Sequence, residues 1–164
     1  MVGSRSGERS DLERLEELCT QARNEVIHLR GGPQLLGAIP SGVPDSNSLG
    51  DLLSDPSSKL LVGLIDDFVV GFATASSGDL PRSPRQAREP DHVLVGTIDH
   101  LYVEPEARGV GVGEQLLGEL MTWFDSKSCT QVDAQALPGD RATKSFFETA
   151  GFKARLLVMN RLLT

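Results

Sequence analysis

One arginine and three alternating glycines form the stretch of this sequence best suited to chemistry. Arg108 is followed by Gly109, Gly111 and Gly113, with valines between the glycines. Glycine lets a phosphate approach the backbone closely, and unpaired N–H groups at the start of a helix bind anions. Arginine adds a permanent positive charge. The stretch predicts a phosphate-binding loop; the alternative, an ordinary strand-to-helix turn, needs only one glycine and no arginine.

The elements on either side of this stretch fit such a loop. Residues 93–103 are rich in β-branched and aliphatic side chains, and Pro105 cannot donate to a sheet, so the predicted strand ends near Val103. A helix is predicted after Gly113 and extends to about Lys127. Its apolar residues recur at helical spacing and are Leu116, Leu117, Leu120, Met121 and Phe124.

Two common phosphate-binding motifs are absent. The dinucleotide fingerprint G-x-G-x-x-G fails because Glu114 or Leu116 stands where the third glycine is needed, and G-x-x-x-x-G-K-[ST] does not occur. The pattern that fits is R-x-x-G-x-G over residues 108–113, after a strand that ends Leu101-Tyr102-Val103-x-Pro105. This arrangement resembles the acyl-CoA pyrophosphate loop of the GNAT superfamily of N-acetyltransferases.

The resemblance implies acetyl-CoA as cosubstrate and no metal. In the family, the pantetheine arm of CoA inserts between two parallel strands that splay apart, here the strand with Leu101 and Val103 and a strand within residues 132–137. For Asp140 and Lys144, helix capping and surface solvation are the alternatives to cofactor contact. The cofactor-binding residues that the resemblance implies are Leu101, Val103, Arg108, Gly109, Val110, Gly111, Val112, Gly113, Asp140, Lys144 and Phe147.

The resemblance also implies a general base on the glycine-loop strand, because family members often carry a carboxylate there. Asp99 is the candidate, and strict alternation puts it on the same side as Leu101 and Val103. A carboxylate within an apolar strand is costly without a partner or a task. A paired structural aspartate is the alternative. His100 has a suitable unperturbed pKa but points to the other side unless a β-bulge shifts the register.

The expected general acid is missing. Residues 145–152, SFFExxGF, resemble the closing helix of the family, in which many members carry a tyrosine that protonates the thiolate. Phe147 takes that position and has no proton to give. Three outcomes stay open: water protonates the thiolate, Ser145 or Tyr102 does, or the protein does not turn over. Tyr102, the only tyrosine, joins Asp99 as a predicted catalytic residue.

The remaining patterns predict an α+β (mixed α/β) fold, with helices flanking a mostly antiparallel sheet that contains one parallel pair. The GNAT resemblance implies that this sheet is central and twisted and that its parallel pair is splayed. The GNAT-like first strand would lie within Val2–Arg5. The further elements predicted are a helix from Asp11 to Gly31, a hairpin of residues 59–65 and 68–75 around Asp66-Asp67, a strand at 130–136, a helix from Asp140 to Gly151 and a final strand Ala154–Leu163.

Two segments read mainly as loops. Residues 33–56 are rich in Gly, Pro, Ser and Asp, with a short helix near Leu49–Leu53, and their position after the first helix suggests a loop that lines the acceptor site. Residues 77–91 carry Arg82, Arg85 and Arg88. These arginines form either a basic recognition patch or a solvated hairpin tip.

Composition narrows the class of protein. The 164 residues suit one GNAT-like domain over 1–164, and the net charge of −7 argues against binding nucleic acid or anionic membranes. No apolar run reaches membrane-spanning length, the N-terminus lacks a signal-peptide core, and Cys19 and Cys129 lie far apart, so we expect a cytoplasmic protein with reduced thiols. Both a monomer and a homodimer remain open.

These observations predict an acetyl-CoA-dependent N-acetyltransferase that acts on a primary amine of a small molecule, a protein or a peptide. Transfer is expected to be direct, since no Cys–His pair for a covalent intermediate is recognisable. The alternative is a non-catalytic acyl-CoA-binding module that senses or regulates. A nucleotide-binding protein is disfavoured because the nucleotide motifs fail.

Overall fold

The computed structural model describes residues 1–32, 44–79, 93–159 and 161. Its sheet has five strands in the order β1-β2-β3-β4-β5. The first four are antiparallel neighbours, and β5 lies parallel to β4. The predicted mixed sheet is therefore confirmed. The strands are β1 (Val2–Ser6), β2 (Ser58–Ile65), β3 (Phe68–Asp79), β4 (Leu94–Val103) and β5 (Gln131–Ala134).

Helices cover both faces of this sheet. They are α1 (Leu12–Val26), α2 (Ser46–Leu52), α3 (Val112–Ser126) and α4 (Arg141–Thr149). On one face, called the α1 face, α1 and α2 pack with Leu60, Val62 and Phe72. On the opposite α3 face, the apolar side of α3 packs on alternate strand residues such as Leu61 and Ala73. No helix within the described ranges is long and apolar enough to cross a membrane.

The hairpin of β2 and β3 forms as predicted. Asp66 and Asp67 both have positive φ angles, 47° and 67°, which is the backbone that a two-residue type I′ turn requires. The N-terminal strand β1 pairs with β2 from Val2 to Ser6. Asp140 caps α4 as expected, because its carboxylate accepts hydrogen bonds from the backbone N–H of Thr143.

The sequence predicted that Asp11 caps the first helix, but its side chain has other partners. Its side chain makes no capping bond to α1. The carboxylate instead accepts hydrogen bonds from both terminal nitrogens of Arg5, at 2.7 and 2.8 Å, and from the Glu8 backbone N–H at 2.8 Å. The hydrogen bond from Arg5 lowers the pKa of Asp11. Asp11 therefore ties β1 to the start of α1.

The predicted final strand Ala154–Leu163 is wrong over its described part. Residues 152–159 form no strand, and the side chains of residues 156–159 are 66–84% exposed. A strand needs a partner, and β5 offers an edge only four residues long. Residues 33–43 of the suggested acceptor loop, and the arginines at 82, 85 and 88, lie outside the described residues.

Candidate active site

The two parallel strands separate before the end of β4. They pair only from Val95 to Ile98 on β4, because β5 ends at Ala134 whereas β4 continues to Val103. The Glu104 N–H donates to the Val70 carbonyl of β3 at 2.9 Å. Since successive N–H groups of a strand point to opposite sides, those of Val103 and Leu101 point away from β3, toward the side that β5 leaves. This open edge is the site's first component.

A short 3₁₀ turn, Pro105–Ala107, leads from β4 to the glycine loop. Gly109 and Gly111 have φ angles of 77° and 99°, which only glycine adopts without strain, and Gly111 is the N-cap of α3. The first bond within the helix runs from the Gln115 N–H to the Gly111 carbonyl at 3.0 Å. The N–H groups of residues 112–114 therefore have no acceptor inside α3, and the positive end of the helix dipole lies there. This geometry can bind an anion.

The side chains around the loop differ in burial and packing. Val112 is buried in the core, whereas Val110 is half-exposed. A Cβ on Gly113 would lie 3.2 Å from the Phe146 ring and 4.0 Å from Leu101. The missing side chain at Gly113 thus lets the start of α3 pack closely on α4 and β4.

A β-bulge changes the predicted alternation of β4. His100 pairs with Thr74 and Ile98 pairs with Ala75, so Asp99 is an extra residue between them. The Asp99 carboxylate is hydrogen-bonded to Ser76, whose neighbour Ala75 belongs to the α3-face core. Asp99 therefore points to the α1 face, and the prediction that it shares a side with Leu101 and Val103 is wrong.

The bulge gathers polar groups on the α1 face. Burial raises the pKa of Asp99, and the hydrogen bond from Ser76 and the nearby His100 only partly offset this. The His100 Nδ1 lies 2.7 Å from the hydroxyl oxygen of the buried Thr74. Asp99 and His100 are therefore neighbours on one face, which unbroken alternation would have prevented.

Tyr102 and Arg108 meet at Glu25, a residue that no sequence motif indicated. Glu25 on α1 accepts a hydrogen bond from the Tyr102 hydroxyl at 2.7 Å, and Arg108 Nη2 lies 2.9 and 2.8 Å from its two carboxylate oxygens. Burial, and then Glu25, raise the pKa of Tyr102. The only sequence signal for Glu25 is its place beside Ala22 and Val26, at the border of the apolar stripe of α1.

The residues of α4 have local partners. Asp140 accepts hydrogen bonds from the Thr143 N–H and hydroxyl at 3.0 and 2.6 Å, and Lys144 lies 3.6 Å from Glu148 on the surface. Phe147 is 7% exposed and belongs to the α3-face core. Its ring centroid lies 5.4 Å from that of Phe146 and 5.2 Å from that of Phe152.

Known proteins share this architecture. A mutant of the BH1408 protein from Bacillus halodurans superposes with a TM-score of 0.80 over 98% of this chain and 99% of that chain, at 14% identity. A predicted acetyltransferase from Clostridium acetobutylicum, solved with acetyl-CoA, superposes with a TM-score of 0.69 over 98% and 96%, at 15% identity.

Sequence comparison adds the family. The chain is 27% identical over 145 residues to the glucosamine 6-phosphate N-acetyltransferase of Trypanosoma brucei brucei, covering 88% of this chain and 89% of that relative. The sequence pattern described as the acetyltransferase (GNAT) family matches residues 12–152. A match of this extent, on a sheet with a splayed parallel pair and a glycine loop, means that the chain belongs to the GNAT family of acetyltransferases.

Proposed function

We propose that this protein is an acetyl-CoA-dependent N-acetyltransferase, which moves an acetyl group directly to a primary amine. One observation carries the proposal: a short 3₁₀ turn, Pro105–Ala107, leads from the open edge of β4 into the glycine loop at the start of α3. An open strand edge offers hydrogen bonds to the amides of a pantetheine arm, and the loop offers N–H groups to a pyrophosphate. The two components match the two parts of CoA.

The proposed cofactor contacts follow from this match. The backbone groups of Leu101 and the backbone N–H of Val103 bind pantetheine, while the Val103 carbonyl accepts from Arg108. The N–H groups from Gly109 to Gly113 bind the pyrophosphate, with Val110 and Val112 contributing backbone only. The close contact of Gly113 with Phe146 brings α4 beside the loop. This contact supports a position of α4 beside the cofactor, with Asp140, Lys144 and Phe147 as the candidate residues.

Asp99 is the proposed general base. It removes a proton from the ammonium group of the acceptor, directly or through water, and the neutral amine attacks the thioester carbonyl. The C–N bond forms, the C–S bond breaks, and CoA leaves as a thiolate. Burial raises the pKa of Asp99, which makes its carboxylate a stronger base than an exposed aspartate.

The proton that the thiolate needs is proposed to come from water. Phe147 has no hydroxyl, and the Tyr102 hydroxyl already donates to Glu25, with a raised pKa that makes it a weaker acid. A thiol has an ordinary pKa of about 8.5, so the thiolate leaves without full protonation. Tyr102 as the proton donor would require its hydroxyl to leave Glu25.

The acceptor is proposed only as a primary amine, on a small molecule, a protein or a peptide. The name of the Trypanosoma relative makes an amino sugar phosphate one compound to assay. We further propose a single-domain protein of the cytoplasm. Cys19 and Cys129 are free, and burial raises the pKa of the Cys19 thiol to about 12, which suits an unreactive core cysteine.

Thiol release from acetyl-CoA tests the proposal. The wild-type protein is incubated with an amino sugar phosphate, polyamines and peptides, beside Asp99→Asn and a control, Asp125→Asn, at an exposed position on α3. We expect amine-dependent release in the wild type and control and a large loss in Asp99→Asn. Absence of CoA binding in calorimetry would refute the proposed function.

A second function is favoured by the missing proton donor. Phe147 is buried and apolar, and Tyr102 is engaged, so a non-catalytic acyl-CoA-binding sensor or regulator fits the same fold. Tight CoA binding without transfer to any amine, together with a stable protein partner in pull-downs, would support this second function over the first.

A further inference from the structure

A carboxylate on α1, that of Glu25, contacts the arginine of the glycine loop. We infer that Glu25 is a positioning residue, which holds Arg108 against the end of β4 so that the arginine fixes the Val103 backbone instead of neutralising the cofactor phosphate. The inference rests on the proposed binding of CoA. It assigns to Arg108 a role different from the charge contact that the sequence motif suggests.

The guanidinium of Arg108 is engaged by two elements at once. Its Nε donates to the Val103 carbonyl at 2.8 Å, and its Nη2 lies within 2.9 Å of both carboxylate oxygens of Glu25. The rigid planar fork of arginine suits such a pair of acceptors. Arg108 thus joins the C-terminal part of α1 to the last residue of β4, where the open edge meets the loop.

A phosphate contact through either of these two nitrogens would undo part of this arrangement. Nε would have to leave the Val103 carbonyl, or Nη2 would have to leave Glu25, which would then keep only the hydroxyl of Tyr102. The ion pair also cancels the charge of Arg108 toward a ligand at a distance. Anion binding then depends on the backbone N–H groups of the loop and on the dipole of α3, which need no side-chain charge.

Tyr102 completes the arrangement and supplies a probe. Its hydroxyl donates to Glu25, the Arg108 guanidinium lies 5.5 Å from its ring centroid, and its ring packs against Phe72 with centroids 6.1 Å apart. The charges facing its hydroxyl are Glu25 and Glu104, which raise its pKa, and Arg108, which lowers it. Because it is the only tyrosine, its absorbance reports on this site alone.

Alkaline titration of tyrosinate absorbance tests the position of Glu25 without any ligand. The variants are Glu25→Gln and a control, Glu13→Gln, which removes an exposed carboxylate from the same helix. At pH values where far-UV circular dichroism shows all three proteins folded, we expect more tyrosinate in Glu25→Gln than in the wild type. Well below the pKa of Tyr102, each unit by which the substitution lowers this pKa raises the tyrosinate fraction about tenfold. The control should match the wild type. Equal curves for all three would overturn the inference.

Binding of CoA and of pantetheine, which lacks the pyrophosphate, tests the role of Arg108. We expect Arg108→Met to raise the dissociation constants of CoA and of pantetheine by the same factor, within about twofold. Glu25→Gln should likewise raise the two dissociation constants by one common factor. If Arg108 contacts phosphate, Arg108→Met would weaken CoA roughly tenfold more than pantetheine, and this result would overturn the inference. A wild type that binds neither ligand would refute the proposed function, while the tyrosine titration would still decide the position of Glu25.

Discussion

Replacing Gly111 by alanine should strain the point at which the loop becomes a helix. Gly111 has a φ angle of 99°, and a Cβ built on it meets no atom within 4 Å. The cost is therefore one of backbone conformation and not of a steric clash. An L-residue in the left-handed region costs about 1–2 kcal/mol, so Gly111→Ala should lower the free energy of unfolding by that amount.

Gly118 provides a matched control on the same helix. It is exposed within α3, a Cβ there also meets nothing within 4 Å, and its φ angle lies outside the left-handed range. Alanine is favoured over glycine inside a helix by about 0.5–1 kcal/mol. The same substitution should therefore destabilise at one position and stabilise at the other. The two variants should differ by roughly 1.5–3 kcal/mol.

Urea unfolding followed by far-UV circular dichroism measures this difference. The midpoints should shift in opposite directions without a change in slope, since neither substitution alters the surface exposed on unfolding. Calorimetry should also show weaker CoA binding for Gly111→Ala and unchanged binding for Gly118→Ala. If Gly111→Ala were as stable as Gly118→Ala, the left-handed cap would be wrong, and with it the orientation of the first N–H groups of α3.

Three further substitutions test the site and its support. Asp99→Asn should lower kcat by about 10²–10⁴-fold and abolish the acidic limb of the pH–rate profile, a limb that the raised pKa of Asp99 places above the range of an exposed aspartate. Asp11→Ala should cost about 1–3 kcal/mol at neutral pH in urea unfolding, because Arg5 and a backbone N–H lose their acceptor. Since the folded-state pKa of Asp11 is lowered, this contribution is complete above the unfolded value of about 3.9 and disappears as pH falls through the folded pKa, so the variant and wild type should converge in acid. Gly96→Ala would put a Cβ 2.3 Å from the Phe124 ring, and calorimetric melting should show a loss of about 1–3 kcal/mol.

Local signals explain what the sequence predicted correctly. The alternate glycines, the Asp66-Asp67 turn and the Asp140 cap each act through residues a few positions apart, so the sequence displays them directly. Each of these features forms at the expected place. The parallel pairing of β4 and β5 followed from the order of strand, helix and strand, whereas their splaying was implied by the family resemblance.

Features that depend on residues far apart in the sequence could not be predicted from local patterns. The bulge at Asp99 appears only when β4 is paired with β3, since strand alternation alone gives the wrong face. Glu25 contacts Tyr102 and Arg108, which lie 77 and 83 positions after it in the sequence. The final strand failed for a related reason, because apolar residues such as Leu156 fit a strand only where a partner edge is available.

We propose that CoA binds at the open edge of β4 and at the glycine loop. Titration of the ¹⁵N-labelled protein with acetyl-CoA, followed by amide NMR, tests this binding site residue by residue. We predict the largest shifts at the N–H groups of Gly109, Gly111, Gly113 and Val103, with little change at Gly3, which lies on the opposite edge strand β1. Absence of binding, or shifts that leave the three loop glycines unmoved, would refute the proposed site.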